Sequence, residues 1–163
     1  MGDIIARMKG VLIQVNVSPG GMPKLPVLQA RVTVEGVEGD WQKNRKYHGG
    51  PDRAVCLFST ELYDRLRSLG IDLLPGSVGE NFTTTGVDLQ KLGKGDRLAV
   101  GGCIVEMTNV RVPCSSLKKW DEDLPGLIVG FSGWVAKVVR EGFVTAGDPI
   151  EKLPRDQQPT TSN

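Results

Sequence analysis

The side chain best suited to chemistry is the thiol of Cys114, which follows Pro113 at the end of an apolar run. A proline at this point ends a strand, so the next residue is expected to be accessible in a loop. Arg111, Lys118 and Lys119 are close in sequence, and neighbouring positive charge lowers the pKa of a thiol. A thiolate can act as a nucleophile, a sulfur carrier or a soft-metal ligand. An incidental surface cysteine is the alternative.

A glycine-rich segment at residues 47–53 is the second candidate. Gly49 and Gly50 expose backbone N–H groups and allow a ligand to approach the chain closely. His48 and Arg53 add donors, and the Arg53 guanidinium can hold a phosphate with two parallel hydrogen bonds. The alternative is a tight turn that carries a surface histidine.

Two further loops place polar groups among small residues. Glu80 can accept two N–H bonds from a heterocycle such as a pterin, and the amide of Asn81 can donate and accept. Alternatively, the Asn81 side chain satisfies its own backbone. In the other loop, Gly20 and Gly21 can form an anion nest to which Lys24 adds a charge. A flexible loop with a solvated lysine is the competing interpretation.

The cysteine and histidine counts limit the mechanisms that are possible. The chain has three cysteines and one histidine, which excludes a multi-histidine metal cage. Cys56, Cys103, Cys114 and His48 match the ligand number of a Cys₃His zinc site, but no pair has the usual close spacing. A Cys114–His48 hydrolase dyad lacks a recognisable signature. Cys56 and Cys103 lie in apolar runs and are predicted to be buried small hydrophobic residues.

Composition indicates an ordinary folded domain. The 163 residues carry 20 basic and 19 acidic side chains, a balance that argues against a nucleic-acid-binding surface. No apolar run is long enough to span a membrane, and residues 1–10 lack the apolar core of a signal peptide. We therefore expect a cytoplasmic protein with reduced thiols, with no membrane or nucleic-acid partner.

The elements that position these groups are mostly strands. Alternating or continuous apolar patterns predict strands at residues 11–17, 28–34 and 54–58, and a hairpin over 97–112 with Gly101 and Gly102 in its turn. Ser59 and the leucine spacing up to Leu69 predict one clear helix, which ends at Gly70. The spacing of apolar residues over 127–140 fits either a helix or a strand. The glycines in this stretch favour a short helical or loop piece followed by a strand. The sequence therefore predicts a mainly β barrel or sandwich with minor α.

Taken in order, these segments resemble the MOSC domain, named for the C-terminal part of molybdenum cofactor sulfurases. The resemblance covers residues 8–153 and is carried by SPGGMPK at 18–24, GVEGD at 36–40, HGGPDRAV at 48–55, GSVGEN at 76–81, LGKGDR at 92–97, VPC at 112–114, and GW at 133–134 with GD at 147–148. Each motif alone is weak, and their shared order is specific. We expect one MOSC domain over 8–153, a short segment before it and a flexible polar tail at 154–163.

The resemblance implies a β-barrel fold with a few short helices and a molybdopterin-type molybdenum cofactor. Cys114 matches the family cysteine, which carries sulfur in sulfurases or ligates molybdenum in reductases. The positions that match motifs expected around the cofactor are Lys24, His48, Gly49, Asp52, Arg53, Glu80 and Asn81. Lys24 could hold the cofactor phosphate. Arg111, beside Cys114 in sequence, is added to the predicted cofactor-binding residues.

Three functions remain open after this comparison with the family. The chain is expected to be a stand-alone, bacterial-type MOSC domain that handles the cofactor or sulfur through Cys114. It could instead be a molybdenum-dependent reductase of N-hydroxylated compounds, or a non-catalytic module that binds an anion or a pterin. It shows no pyridoxal-phosphate domain and no flavin, haem or iron–sulfur motif. A sulfurtransferase, a cofactor-biosynthesis protein or an electron donor is therefore a possible partner.

Overall fold

The computed structural model describes residues 8–41 and 50–154, and most of these residues lie in strands. Within these two ranges there are eleven strands: β1 Lys9–Val17, β2 Leu25–Val27, β3 Gln29–Thr33, β4 Gly36–Val37, β5 Val55–Ser59, β6 Phe82–Thr85, β7 Arg97–Val100, β8 Cys103–Val110, β9 Trp134–Arg140, β10 Gly142–Thr145 and β11 Pro149–Lys152. The predicted mainly β class is confirmed.

Helical structure in the described ranges is short. Helix α1 spans Thr60–Ser68 and helix α2 spans Leu124–Leu127, and the 3₁₀ turns are Pro51–Arg53, Leu89–Lys91 and Ser115–Lys119. The N-cap of α1 is Ser59, whose hydroxyl accepts a hydrogen bond from the Leu62 N–H. Its buried face carries Leu62, Tyr63 and Leu66. The predicted helix is therefore confirmed, together with its cap.

Seven strands close into a barrel in the order β11-β7-β8-β9-β5-β6-β1, because β1 also pairs with β11. Strand β2 extends the sheet beyond β1, and β10-β3-β4 form a separate three-stranded sheet. Every pair in the barrel is antiparallel except β5 with β6, which α1 connects as a crossover. The barrel interior is filled by apolar side chains, including the fully buried Leu12, Leu57, Phe82, Leu98 and Val105.

The structure also describes the start of the chain after β3 and the ambiguous residues 127–140. The long glycine-rich connection after β3 begins with the two-residue strand β4, which pairs back onto β3. Residues 127–140 are divided between the end of α2 and strand β9, as the glycines indicate. Gly133 immediately precedes β9 with φ +84°, and a Cβ atom added there would overlap the carbonyl oxygen of Leu57. Only glycine allows this approach between the start of β9 and β5.

Gly133 provides a direct test of this packing. We expect Gly133→Ala to lower the free energy of unfolding by about 2 kcal/mol or more, because it combines a left-handed φ with a backbone clash. Gly130→Ala is the matched control, since Gly130 has φ +78° and open space around its Cα. Urea unfolding of both variants measures the difference. Equal losses for the two variants would contradict the predicted clash.

Candidate functional site

A cleft of about 480 Å³ lies where the neighbouring strands β5, β8 and β9 meet the chain that follows β8. This volume is in the range of sites that hold a small molecule or cofactor. The cleft contains two thiols, two guanidinium groups and one carboxamide among apolar side chains. Its lining residues are Arg53, Cys56, Gly79, Asn109, Val110, Arg111, Val112, Pro113, Cys114 and Val135.

Cys114 lies in this cleft, at the start of the 3₁₀ turn that follows β8. Its Sγ atom is 2.9 Å from the hydroxyl oxygen of Ser116. Burial by itself would raise the pKa of the Cys114 thiol, but hydrogen bonds from Ser116 and the charge of Arg111 outweigh it, and the pKa is lower than that of an ordinary cysteine. A lower pKa increases the thiolate fraction near neutral pH, so Cys114 is suited to act as a nucleophile or a soft ligand.

Cys56 is a second thiol in the same cleft. It lies on β5 and is partly exposed, which differs from the predicted fully buried position. Burial raises the pKa of its thiol despite the nearby charges of Arg111 and Lys24, so Cys56 is protonated at neutral pH. Cys103 is buried on β8 as predicted, and burial raises its pKa to about 12. The pKa values of the two cleft cysteines are therefore shifted in opposite directions.

Arg111 closes one end of the cleft. Its backbone N–H donates to the carbonyl oxygen of Gly133 over 2.9 Å, and its Nη2 donates to the carbonyl oxygen of Val78. Its Nη1 atom is buried and has no hydrogen-bond partner among the described residues. A buried guanidinium donor without a partner is costly. A ligand oxygen in the cleft would satisfy it, and Arg53 lines the same cleft with a second positive charge.

Lys24 occupies a different environment from the predicted one. Its Nζ atom is 2.7 Å from Oδ2 of Asp40, and both side chains are about 95% buried. The lysine charge is already neutralised inside the protein, and Lys24 is not among the residues that line the cleft. The structure therefore places Lys24 in a buried ion pair, and its predicted role of holding a ligand phosphate stays a prediction.

Glu80 is also not among the residues that line the cleft. Its carboxylate is fully buried and accepts hydrogen bonds from the Tyr63 hydroxyl at 2.7 Å, the Thr83 hydroxyl at 2.9 Å and the Gly76 N–H at 3.1 Å. Burial raises its pKa above the ordinary value, although these bonds act in the opposite direction. These three bonds fix the loop around Glu80, and its predicted contact with a heterocycle stays a prediction.

The side chain of Asn81 connects the carboxylate of Asp40 to Cys56, which lines the cleft. Its Oδ1 accepts the backbone N–H of Cys56 at 3.0 Å, while its Nδ2 donates to Oδ2 of Asp40 at 2.9 Å and to the carbonyl oxygen of Asn16 at 3.2 Å. The Asn81 side chain therefore positions β5 through bonds within the protein, and its predicted contact with a ligand stays a prediction. The sequence analysis did not identify Asp40 as a site residue, although Asp40 falls within one of the matching motifs.

The segment with the predicted histidine is described only in part. His48 and Gly49 lie outside the described residues, so their predicted roles remain predictions. Asp52 is exposed in the turn Pro51–Arg53, and its carbonyl oxygen accepts the Thr108 hydroxyl at 2.6 Å. Of the predicted site residues that are described, the cleft brings together Arg53, Arg111 and Cys114. Three further lining residues, Cys56, Gly79 and Asn109, were not predicted as site residues, although Gly79 falls within one of the matching motifs.

The described residues contain neither a preformed metal-binding cluster nor a membrane-spanning helix. They contain no group of three or more histidine, cysteine, aspartate or glutamate side chains arranged to hold a metal ion. No helix in these two ranges is long and apolar enough to cross a membrane.

Comparison with known proteins now identifies the family. A family model described as the MOSC domain matches residues 44–151. The chain belongs to the MOSC domain family. This MOSC domain is 33% identical over 144 residues to YflK of Bacillus subtilis, covering 85% of this chain and 65% of YflK. It is 31% identical over 147 residues to YiiM of Escherichia coli, covering 84% of this chain and 65% of YiiM.

More distant similarity supports the same family. The crystal structure of YiiM from Escherichia coli superimposes with a TM-score of 0.72 at 26% identity, over 90% of this chain and 70% of that one. A Gibberella moniliformis protein named Reductase is 33% identical over 129 residues, which are 74% of this chain and 23% of that protein. The MOSC domain thus spans just under two thirds of YflK and YiiM, and a smaller part of the Reductase.

The charge state of Cys114 can be measured directly. We expect its alkylation by iodoacetamide to show a midpoint at lower pH than an unperturbed cysteine, because Ser116 and Arg111 stabilise the thiolate. Ser116→Ala and Arg111→Gln should each raise this midpoint. Site-resolved mass spectrometry across a pH series gives the profiles, and Cys56 in the same samples should react only at higher pH. Identical midpoints for Cys56 and Cys114 would contradict the assignment.

The buried ion pair predicts a stability effect. Asp40→Asn leaves the Lys24 ammonium buried without a counter-charge, and we expect the free energy of unfolding to fall by about 3 kcal/mol. Glu122→Gln, which removes an exposed partner of Lys118, is the control and should change stability little. Denaturant unfolding compares the two. A small effect at Asp40 would show that the pair is not required for folding.

Proposed function

We propose that this MOSC domain binds a molybdopterin-type molybdenum cofactor in the cleft and uses Cys114 to handle sulfur or to ligate the metal. The observation that carries the proposal is the presence, in one cleft, of a thiol with a lowered pKa and a buried guanidinium donor that lacks a partner among the described residues. The MOSC family is associated with this cofactor, and the donor set in the cleft fits it.

The cleft residues have separate roles in this proposal. The Cys114 thiolate supplies a soft ligand or a sulfur-accepting nucleophile. Arg111, through Nη1, and Arg53 bind the anionic oxygens of the cofactor phosphate. Gly79 has no side chain on the cleft wall, and an added Cβ would lie 3.5 Å from Nη2 of Arg111 and 3.2 Å from the Met22 sulfur. A glycine there keeps the wall open for close approach of a ligand.

When bound, the cofactor would supply a redox-active molybdenum centre, which the protein side chains lack. The protein binds and orients it through the two arginines and holds a thiolate sulfur beside it. Cys56 keeps its proton on Sγ, so it adds no second negative charge to the cleft. Reduced thiols are typical of the cytoplasm, and we propose that location for this chain.

A second candidate function is reduction of N-hydroxylated compounds with an external electron donor. The similarity to the Gibberella moniliformis Reductase favours it, although this chain covers only 23% of that protein. A sulfurtransferase would be the corresponding partner for sulfur handling. A third candidate, a module that binds an anion or a pterin without catalysis, requires Arg111 and Arg53 but not the Cys114 thiolate.

Metal and pterin content tests these candidates. We expect protein purified from a cofactor-competent bacterial host to contain both, and Cys114→Ala to lose at least nine tenths of its molybdenum if Cys114 is a ligand. Retained molybdenum with loss of a persulfide on residue 114 would support sulfur handling. Cys103→Ala is the matched control, because Cys103 is buried outside the cleft.

The same preparations can exclude the proposal. Wild-type protein that contains no molybdenum and no pterin, and takes up neither on reconstitution, would overturn it. Pterin and molybdenum contents that are unaffected by Cys114→Ala, with no persulfide in the wild type, would support the non-catalytic module. Turnover of a hydroxylamine-type substrate with an artificial electron donor, lost in Cys114→Ala, would select the reductase.

A further inference from the structure

Asn109 stands out among the cleft residues that the sequence analysis missed. It is exposed, it lines the cleft, and its carboxamide makes no hydrogen bond within the described part of the chain. The other polar groups of the described lining are the guanidinium groups of Arg53 and Arg111, which only donate, and the two thiols. Asn109 is therefore the one described lining side chain with both an amide donor and a strong oxygen acceptor.

A β-bulge places Asn109 in this position. Met107 on β8 faces Ala136 on β9, whereas Asn109 faces Val135, so one extra residue lies between the two pairs. An extra residue reverses the side-chain alternation that follows it, and bulges commonly redirect side chains at functional sites. The bulged residue is Thr108, which is buried and leaves Asn109 at the open end of the strand.

Thr108 also holds the turn Pro51–Arg53 in place. Its hydroxyl oxygen lies 2.6 Å from the carbonyl oxygen of Asp52 and 3.0 Å from that of Val135, and its single hydrogen is shared between them. The first contact attaches the turn Pro51–Arg53, which carries the cleft residue Arg53, to β8. Asn109 therefore lies on a rigid strand, next to a turn that Thr108 fixes in place.

From this arrangement we propose that Asn109 is a specificity-determining residue, which pairs with the lactam edge of a nitrogen heterocycle bound in the cleft. A lactam presents an N–H donor beside a C=O acceptor, and a carboxamide matches both at once. The guanidinium groups of Arg53 and Arg111 in the same cleft fit an anionic substituent of the same ligand. This inference rests on the proposed function, since it names the part of a pterin-type ligand that Asn109 would recognise.

Two small probes separate the lactam edge from the rest of the ligand. Pterin-6-carboxylate and 2-naphthoate are both flat bicyclic carboxylates, and only the pterin carries a lactam. We expect the wild type to bind the pterin at least tenfold more tightly than the naphthoate in calorimetric titrations. Asn109→Leu should remove this preference by weakening pterin binding about tenfold, which corresponds to roughly 1.4 kcal/mol. Its affinity for naphthoate should be unchanged.

Controls distinguish recognition from a structural effect. Gln90→Leu removes an exposed carboxamide outside the cleft and should leave both affinities unchanged. Arg111→Gln should weaken both probes, because both carry a carboxylate. We expect Asn109→Leu to have the same midpoint of urea unfolding as the wild type, because the Asn109 side chain makes no hydrogen bond within the described part of the chain. A preference that survives in Asn109→Leu, or an equal loss for both probes, would overturn the role of Asn109.

The probe experiment is independent of the cofactor measurement. Wild-type protein that contains molybdenum and pterin but shows an unchanged probe preference in Asn109→Leu would refute the role of Asn109 and leave the proposed function intact. Wild-type protein that contains no molybdenum cofactor and takes up none on reconstitution, but shows the predicted loss of probe preference in Asn109→Leu, would refute the proposed function and retain the lactam-binding cleft. Wild type that binds neither probe would overturn the inference.

Discussion

The site depends on the ion pair and the hydrogen bonds of the buried Asp40 carboxylate. Its Oδ1 accepts the Ser18 N–H at 3.0 Å, and its Oδ2 accepts Nζ of Lys24 at 2.7 Å and Nδ2 of Asn81 at 2.9 Å. Three chain segments thus meet at one charge inside the protein. Through Asn81, the same carboxylate is coupled to the backbone of Cys56 in the cleft. A buried charge is tolerated because hydrogen bonds and an opposite charge compensate it.

This arrangement separates the polar residues into two groups. Lys24, Glu80 and Asn81 use their hydrogen-bonding groups within the protein and hold the loops in place. Arg111 and Asn109 have side-chain groups without partners among the described residues, and Cys114 has a thiol with a lowered pKa. The polar residues around the site thus serve two purposes. The buried ones fix the geometry, and the cleft residues are available to a ligand.

Local signals in the sequence account for what was predicted correctly. The helix at Thr60–Ser68 has its cap, its apolar spacing and its terminal glycine within twelve residues, so tertiary contacts were not needed to identify it. The hairpin at 97–110 and the accessible position of Cys114 follow from equally local features. The role of Glu80 depends on Tyr63, which lies 17 residues away, and on backbone groups that only the fold brings together. The position of Asn109 depends on a bulge that exists only once β8 pairs with β9.

Anomalous X-ray diffraction at the molybdenum edge, on crystals of the protein loaded with cofactor, tests the location of the site most directly. We predict a single molybdenum peak in the cleft. The peak lies within bonding distance of Cys114 Sγ if Cys114 ligates the metal, and next to Cys114 if it handles sulfur. Density for the anionic group of the cofactor lies at Nη1 of Arg111. A molybdenum peak elsewhere on the protein, or cofactor density that leaves the Arg111 and Cys114 side chains without contacts, would contradict it.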